Sequence, residues 1–280
     1  MKERAVPSTV LFAFICVLGL AHKTAGQDSL RARRPELPTL CTSKAWTLLE
    51  SVRQDRSFED LSVPIWQLPD SHAFLFMTGM TIDADGAPNA YSPDNTGLDE
   101  LSNAGEPGHW NGIITDGDGH PLIQKETDPF PGYYISCTSL ADRTKEFGDP
   151  TKYVDASKIP YVVLPREVAE LGGARLGDFA VVVNLRSGKS SYAIYADIGT
   201  LGEGSVALAD ALGIRSNARD GGAYRGILYV LFPGSGNHSP RTIAEIESEG
   251  EKLVSAMGGI KKLYSCAEGE DTAAASGQFP

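Results

Sequence analysis

The sequence is short of the residues on which several common chemistries depend. It has four cysteines and five scattered histidines in 280 residues, with no CxxC pair and no His/Cys cluster at zinc spacing. Positive charge is in deficit. Lys and Arg number 25 against 36 Asp and Glu, for a net charge of −11 and no basic run. A nucleic-acid binder needs clustered Lys and Arg to displace phosphate counterions, so that class is set aside. There is no G-x-S-x-G nucleophile elbow and no Gly-Lys-Ser/Thr phosphate loop. Beyond Leu20 no apolar run is long enough to cross a bilayer.

What is present is a globular, loop-rich composition. Hydrophobic residues make up 41% and charged ones 22%, with 30 Gly and 17 Pro, and the length can bury a real core. Lys2 and Arg4 precede an apolar run over Val10–Leu20, and small residues follow at Gly19, Ala21, Thr24, Ala25 and Gly26. That order is a signal peptide over residues 1–26, with cleavage near Ala21 or near Gly26; a membrane anchor is the alternative. Its removal takes away Lys2, Arg4 and Lys23 against Glu3 and moves the charge from −11 to −13. The remaining chain is expected to be exported and free of the membrane. Cys41, Cys137 and Cys266 stay, enough for one disulfide and one free thiol. Cys41 with Cys266 would tie the two ends of the domain together, but Cys137 could replace either.

Residues 27–40 read as a polar linker, and Thr42 or Ser43 can cap a helix running to about Gln54. From Val63 to Pro165, short β-prone runs (IWQL, AFLFM, GIIT, YYISC, YVVLP) alternate with Pro, Gly, Asp and Asn, as in a meandering β structure. Residues 89–111 lack periodicity and read as an ordered excursion over a face. Two segments, beginning at Ile82 and Thr115, share D-x-D-G-x-P at an offset of 33 residues. Asp-Gly between β-prone flanks favours a tight hairpin turn. A calcium loop is the alternative, but both copies lack ligands, the second offering only Thr127 at the twelfth position.

The spacing next predicts a hairpin of Phe179–Leu185 and Ser191–Asp197, with Ala193, Tyr195 and Asp197 on one face of the second strand. A Gly-rich loop over 199–204 leads into a helix capped by Ser205 and stopped by Gly213. A strand over Gly226–Phe232 follows. The last helix is expected from Pro240 to Met257, with Ser239 as cap and Gly258 as stop. Residues 267–280 read as a disordered acidic tail.

Within this pattern Asp197 closes a strand and Glu203 precedes a helix, separated by a short loop that can aim both acids into one cleft. Glycosidic hydrolysis needs such a pair, one carboxyl to protonate the departing oxygen and one to activate water or attack. The plain alternative is that Asp197 caps a turn and Glu203 favours the helix dipole.

These segments, taken in order, resemble the chitosanases of glycoside hydrolase family 75. The likeness rests on Met80–Pro88 with Ala90-Tyr91, Gly132–Ser136 with Thr138-Ser-Leu140, and Tyr153-Val-Asp155 with Ile159–Pro165. It continues through Leu176-Gly-Asp178, Ala196-Asp197-Ile-Gly199 and Gly202-Glu203-Gly-Ser205 with Ala207-Leu-Ala209, covering roughly residues 70–235. The resemblance implies a catalytic domain over 41–266 that cuts β-1,4-linked glucosamine polymers internally, with inversion and with no metal or organic cofactor. It carries the two catalytic acids onto Asp197 and Glu203. The five residues between them make a shorter loop than that of the fungal members.

Glu203 is assigned as general acid and Asp197 as general base, although an acid at a helix N-terminus is held ionised rather than protonated. Asp83 and Asp85 are candidates for gripping substrate ammonium groups, with hairpin turns as the alternative. Tyr91, Tyr133, Tyr134 and Trp110 are candidates for stacking on sugar rings, with core packing as the alternative for Tyr133 and Tyr134. The expected fold is a single mainly β, α+β domain with a barrel-like mixed sheet and a few flanking helices. The expected protein is a secreted monomer whose acidity suits chitosan, a cationic polysaccharide. Two other functions compete: a non-catalytic polysaccharide-binding protein, and a hydrolase of another amino-sugar polymer.

Overall fold

Several strands of this protein are apolar at nearly every position, not at every second one. Such runs avoid water only where both faces of a strand are covered, which calls for a sheet closed on itself or sandwiched. The computed structural model describes residues 63, 65–68 and 71–263, together with the backbone of 52–53 and 60–61. The signal segment, the linker, most of the first expected helix and the acidic tail lie outside the described residues, as do Cys41 and Cys266.

The chain opens with two short paired strands, β1 (Val52–Arg53) and β2 (Asp60–Leu61). Val52 and Arg53 therefore belong to a strand and not to the helix expected to reach Gln54; their pairing partners from 60–61 decide the matter. Then come β3 (Ile65–Gln67), β4 (Phe74–Asp83), and the small pair β5 (Gly105–Glu106) and β6 (His109–Trp110). After these lie β7 (Tyr161–Leu164), helix α1 (Arg166–Gly172), β8 (Phe179–Asn184), β9 (Lys189–Ile198) and β10 (Glu203–Ser205). Helix α2 (Val206–Leu212), β11 (Ala223–Phe232) and helix α3 (Ile243–Ala256) complete the order.

The main sheet runs β10-β7-β9-β8-β11-β4-β3, and a further β10–β4 pairing closes six of these strands into a barrel. β4 manages this because it is long. Its first half takes β3 as a neighbour (Ile65↔Phe76) and its second half takes β10 (Glu203↔Thr81). The β4–β10 and β7–β9 pairs are parallel and the others antiparallel, so the sheet is mixed. Strands β4, β7, β8, β9 and β11 fill the core with Phe, Tyr, Val, Ile and Leu. Phe76 stacks on Tyr229 with ring centroids 4.8 Å apart, and the Tyr229 hydroxyl donates to the Gly79 carbonyl at 3.0 Å.

The hairpin of β8 and β9 pairs Phe179 with Ile194 through to Asn184 with Lys189, as its sequence predicts. Against β7, however, β9 is bulged: Tyr195 and Asp197 oppose the consecutive residues Val162 and Val163, and Ala196 is extra. Bulges of this kind bend a strand and re-aim its side chains.

Helix α2 has the expected ends, Ser205 as cap and Gly213 in the left-handed region at φ 67°. Helix α3 starts three residues later than expected. Its cap is Thr242, which accepts from the Glu245 amide while the Glu245 carboxylate accepts from the Thr242 amide. This reciprocal box satisfies two free donors at once and prevails over the Ser239-Pro240 start. Helix α1 carries no clear sequence signal. It buries only Val168 and Ala169, too narrow a stripe to show a period.

Between β4 and β7 the backbone is held by turns and isolated bridges. GIIT and YYISC meet through Ile113↔Ser136, and YYISC also meets Ile123 through Tyr134, without forming longer strands. The two D-x-D-G segments differ. Thr115↔Pro121 closes a tight hairpin, whereas Asp83–Gly86 ends β4 and turns into the irregular region.

Ser205 joins the barrel to α2. Ser205 is fully buried, and its Oγ accepts from the Tyr161 and Leu208 amides at 3.0 and 3.1 Å and donates to the Ile159 carbonyl at 2.9 Å. Ser205→Ala removes a helix cap and strands a buried strand amide. It is expected to lower stability by about 3 kcal/mol, read from urea unfolding.

Candidate active site

The barrel seam decides where the acids go. β10 lies parallel to β4, which sets Glu203 opposite Thr81 and Ser205 opposite Asp83. The end of β9 delivers Asp197 across from Val163 of β7, just past the Ala196 bulge. Residues of the 89–111 excursion form the facing wall. Between them is a cavity of about 500 Å³ lined by five carboxylates, Asp83, Asp85, Asp99, Asp197 and Glu203, together with Tyr91, Asn103 and Asn111. Of the expected site residues, the structure brings Asp83, Asp85, Tyr91, Asp197 and Glu203 to one hollow. Tyr134 stands beside it: its amide donates to the Tyr91 carbonyl, and its ring tilts against Trp110 at 6.3 Å.

Asp197 is buried, and its Oδ1 accepts three hydrogen bonds. These come from the Ser139 amide at 2.9 Å, the Ser139 hydroxyl at 2.6 Å and the Ile198 amide at 2.8 Å. Burial raises its pKa, and the three donors work against that rise. Glu203 is held more lightly, its Oε2 accepting from the Thr200 amide at 2.8 Å. Burial pushes its pKa from 4.5 up to about 7, with the charges of Asp197 and Asp99 adding to the rise. Glu203 stands on a strand, with Ser205 between it and α2 as the helix cap. The helix dipole is therefore not the governing influence on this acid; burial is. Gly199 makes room for it, since a Cβ there would lie 2.6 Å from Glu203 Oε2 and 2.9 Å from Val163 Cγ1.

Asp83 and Asp85 bracket the end of β4. Asp83 Oδ1 accepts from the Asp85 amide at 2.8 Å, and Asp85 Oδ1 accepts from the Tyr91 hydroxyl at 2.6 Å. The Tyr161 hydroxyl secures the Asp85 carbonyl at 3.0 Å. Gly112 lies so close that a Cβ there would approach both Asp85 carboxylate oxygens, at 2.6 and 2.8 Å. Both pKa values rise well above the usual range, through burial first and then through neighbouring acids, chiefly Asp85 in the case of Asp83 and Asp197 in the case of Asp85. Tyr91 is itself buried, so it offers the cleft its hydroxyl link to Asp85 rather than an open ring face.

The sequence reading missed the rest of the wall. Asp99 is buried and accepts from the Glu100 amide and from Asn103 Nδ2, in a stretch with no periodic signal. Arg219, from the loop after α2, reaches across and donates to the backbone carbonyls of Asn95, Gly97 and Asp99. Ser139 sits in one of the quoted motifs, but nothing in the sequence tied it to Asp197.

Among the described residues, one group of three His, Cys, Asp or Glu side chains brings its ligand atoms within 4.8 Å of one another. It is Asp116, Asp118 and His120, which are exposed on the second D-x-D-G turn and do not line the cavity. Cys137 is a free thiol beside the cleft. Burial and the charges of Asp85 and Asp197 push its pKa up to about 12, which favours the thiol over the nucleophilic thiolate.

Paired carboxylates in a cleft, one favoured as protonated and one held by charge-stabilising donors, are the equipment of glycosidic bond hydrolysis. Residues 114–258, just over half of the chain, match the family model of the fungal chitosanases of glycosyl hydrolase group 75, and the chain belongs to that family. The match includes Tyr134, Asp197 and Glu203 and begins after Asp83, Asp85 and Tyr91. No curated protein matches the chain.

The crowded acids imply a stability profile. Glu203 titrates near 4.5 when unfolded and about 7 when folded, so the folded state holds its proton more tightly across that interval. Its contribution is full below about 4.5 and is lost as pH rises through about 7. Asp83, Asp85 and Asp197 are also raised and act in the same direction. The urea midpoint is expected to fall between pH 5 and pH 8, and Glu203→Gln to reduce that fall. An equal fall in wild type and variant would show that Glu203 is not raised.

Proposed function

We propose that the protein is a secreted, monomeric endo-chitosanase that cleaves β-1,4 glucosamine linkages with inversion, Glu203 acting as general acid and Asp197 as general base. The observation that carries this reading is the unequal bonding of the two acids in one cavity. Glu203 has its pKa pushed up to about 7 and is thus protonated in mildly acidic water, while three donors on Asp197 favour its ionised form.

The chemistry follows from those two states. The Glu203 proton passes to the glycosidic oxygen as the bond from that oxygen to C1 breaks. Water attacks C1 from the opposite face, and Asp197 takes one of its protons. An exchange of one proton with solvent at each carboxyl restores the starting state. Inversion needs the two carboxyls roughly 6.5–9.5 Å apart, with room for the water between them.

Three features favour glucosamine as the substrate unit. The family acts on chitosan. The five-carboxylate cavity is suited to ammonium groups, and we assign Asp83 and Asp85 to binding them. We assign Tyr134, whose ring tilts against Trp110, to supporting a sugar ring near the cleft.

Reducing-end release from highly deacetylated chitosan tests the reading. Glu203→Gln and Asp197→Asn are each expected to lower kcat by roughly 10²–10⁴-fold with the fold retained, as judged by circular dichroism. Proton NMR of the first products should show the α-anomer. Wild-type activity should decline as pH passes about 7, where Glu203 gives up its proton. Binding of chitosan without release of sugar would instead support the non-catalytic polysaccharide-binding alternative. Faster cutting of acetylated polymer would move the substrate to another amino-sugar chain.

A further inference from the structure

The geometry points to Ser139 as the positioning residue of the general base: both of its donors bind one oxygen of Asp197, leaving the other oxygen to take the proton of the attacking water. The inference rests on the assignment of Asp197 as base made above.

Ser139 meets Asp197 Oδ1 twice, through its amide at 2.9 Å and its hydroxyl at 2.6 Å, and the Ile198 amide adds a third donor at 2.8 Å. Three donors from different directions on one oxygen fix the rotation of the carboxylate. The hydroxyl contact has the short length of a charge-assisted bond, which is stronger than a neutral one.

Ser139 can act as a fixed donor because its own backbone is pinned on both sides. Thr138 Oγ1 donates to the Leu140 carbonyl at 2.7 Å and accepts from the Val154 amide at 3.0 Å. The Leu140 amide donates to the carbonyl of Ala196, the extra residue of the β9 bulge, at 2.8 Å. The bulge that re-aims Asp197 therefore also anchors the turn that orients it.

The groups facing Asp197 show why it needs such donors. Asp83 and Asp85 face it from β4 and the turn beyond, Glu203 from β10 and Tyr161 from β7. Cys137 faces it from the irregular region, and Tyr195 from its own strand, and Tyr195 in turn interacts with the charge of Arg166 on α1. Like charges on Asp83, Asp85 and Glu203 repel that of Asp197, burial disfavours its charged form, and Ser139 and the Ile198 amide favour it.

Ser139→Ala removes the hydroxyl and keeps the amide; Ser139→Thr keeps both donors. In chitosan hydrolysis Ser139→Ala is expected to lower kcat by roughly 10- to 100-fold with KM changed less than about twofold. The acidic limb of its pH–kcat profile should move to higher pH, and Ser139→Thr should restore both rate and limb. A rise in KM with an unmoved limb would overturn the proposal, as would a folded Ser139→Thr as impaired as Ser139→Ala. Carbon-13 NMR titration of the Asp197 carboxyl gives a readout independent of turnover. Its pKa should rise in Ser139→Ala, and an unchanged value overturns the proposal. Should that pKa rise while the wild type releases no sugar, the Ser139–Asp197 link is supported, and the chitosanase reading is the one that falls.

Discussion

The barrel depends on a seam three residues long. β10 must lie parallel to β4 on one side and antiparallel to β7 on the other, or six strands remain an open sheet. A strand so short contributes few ladder bonds, and Ser205 reinforces it by bonding to Ile159, Tyr161 and Leu208 at once. The interior of so small a barrel is filled by side chains, and ionisable groups are pushed to its edge. The seam is where Glu203 and Asp83 find themselves opposite the end of β9. The cleft is thus a consequence of closure: the last pairing that completes the fold also assembles the acids.

That assembly is electrostatically unfavourable. Five carboxylates share a cavity of about 500 Å³. Burial raises the pKa values of Asp83, Asp85, Asp197 and Glu203, and neighbouring acids add to the rise for Asp83, Asp85 and Glu203. Two devices keep the arrangement tolerable. Burial favours the protonated form of these acids, and donors offset part of their repulsion, Asp85 accepting from the Tyr91 hydroxyl and Asp197 from the Ser139 hydroxyl and two backbone amides. Close packing does the rest, with Gly112 and Gly199 giving Asp85 and Glu203 room that any side chain would take away. A hollow held at this cost to stability suits a ligand that brings positive charge, because binding relieves the repulsion that folding left in place.

The parts of the molecule that could be read from sequence are those whose cause is local. The α2 helix announces itself through Ser205 and Gly213, and the β8–β9 hairpin through two apolar runs and a polar turn. The start of α3 is ambiguous in sequence because Ser239-Pro240 has the form of a cap and first position, while Thr242 and Glu245, three apart, make the reciprocal bond that sets it. The two D-x-D-G segments show where local text ends. One closes an exposed hairpin, and the other sits at the end of a buried strand among Tyr91, Gly112 and Tyr161. Their difference lies in partners dozens of residues away. The Ala196 bulge, the Ser139 contact and the Asp99 wall are hidden for the same reason, since each exists only through pairing with a distant segment.

Arg219 adds a consequence for how such a cleft can change. It donates to the main-chain carbonyls of Asn95, Gly97 and Asp99 and also meets Asn95 Oδ1 at 3.4 Å. The wall's own residues share the work. Asn95 Oδ1 accepts from the Leu101 amide, Asp99 Oδ1 accepts from the Glu100 amide and Asn103 Nδ2, and a Cβ on Gly97 would lie 2.2 Å from the Ala90 carbonyl oxygen. A substitution at 95, 97 or 99 therefore disturbs the support of the wall together with the face it shows to the cleft. On this side of the cleft, substrate preference and foldability are coupled traits of one chain.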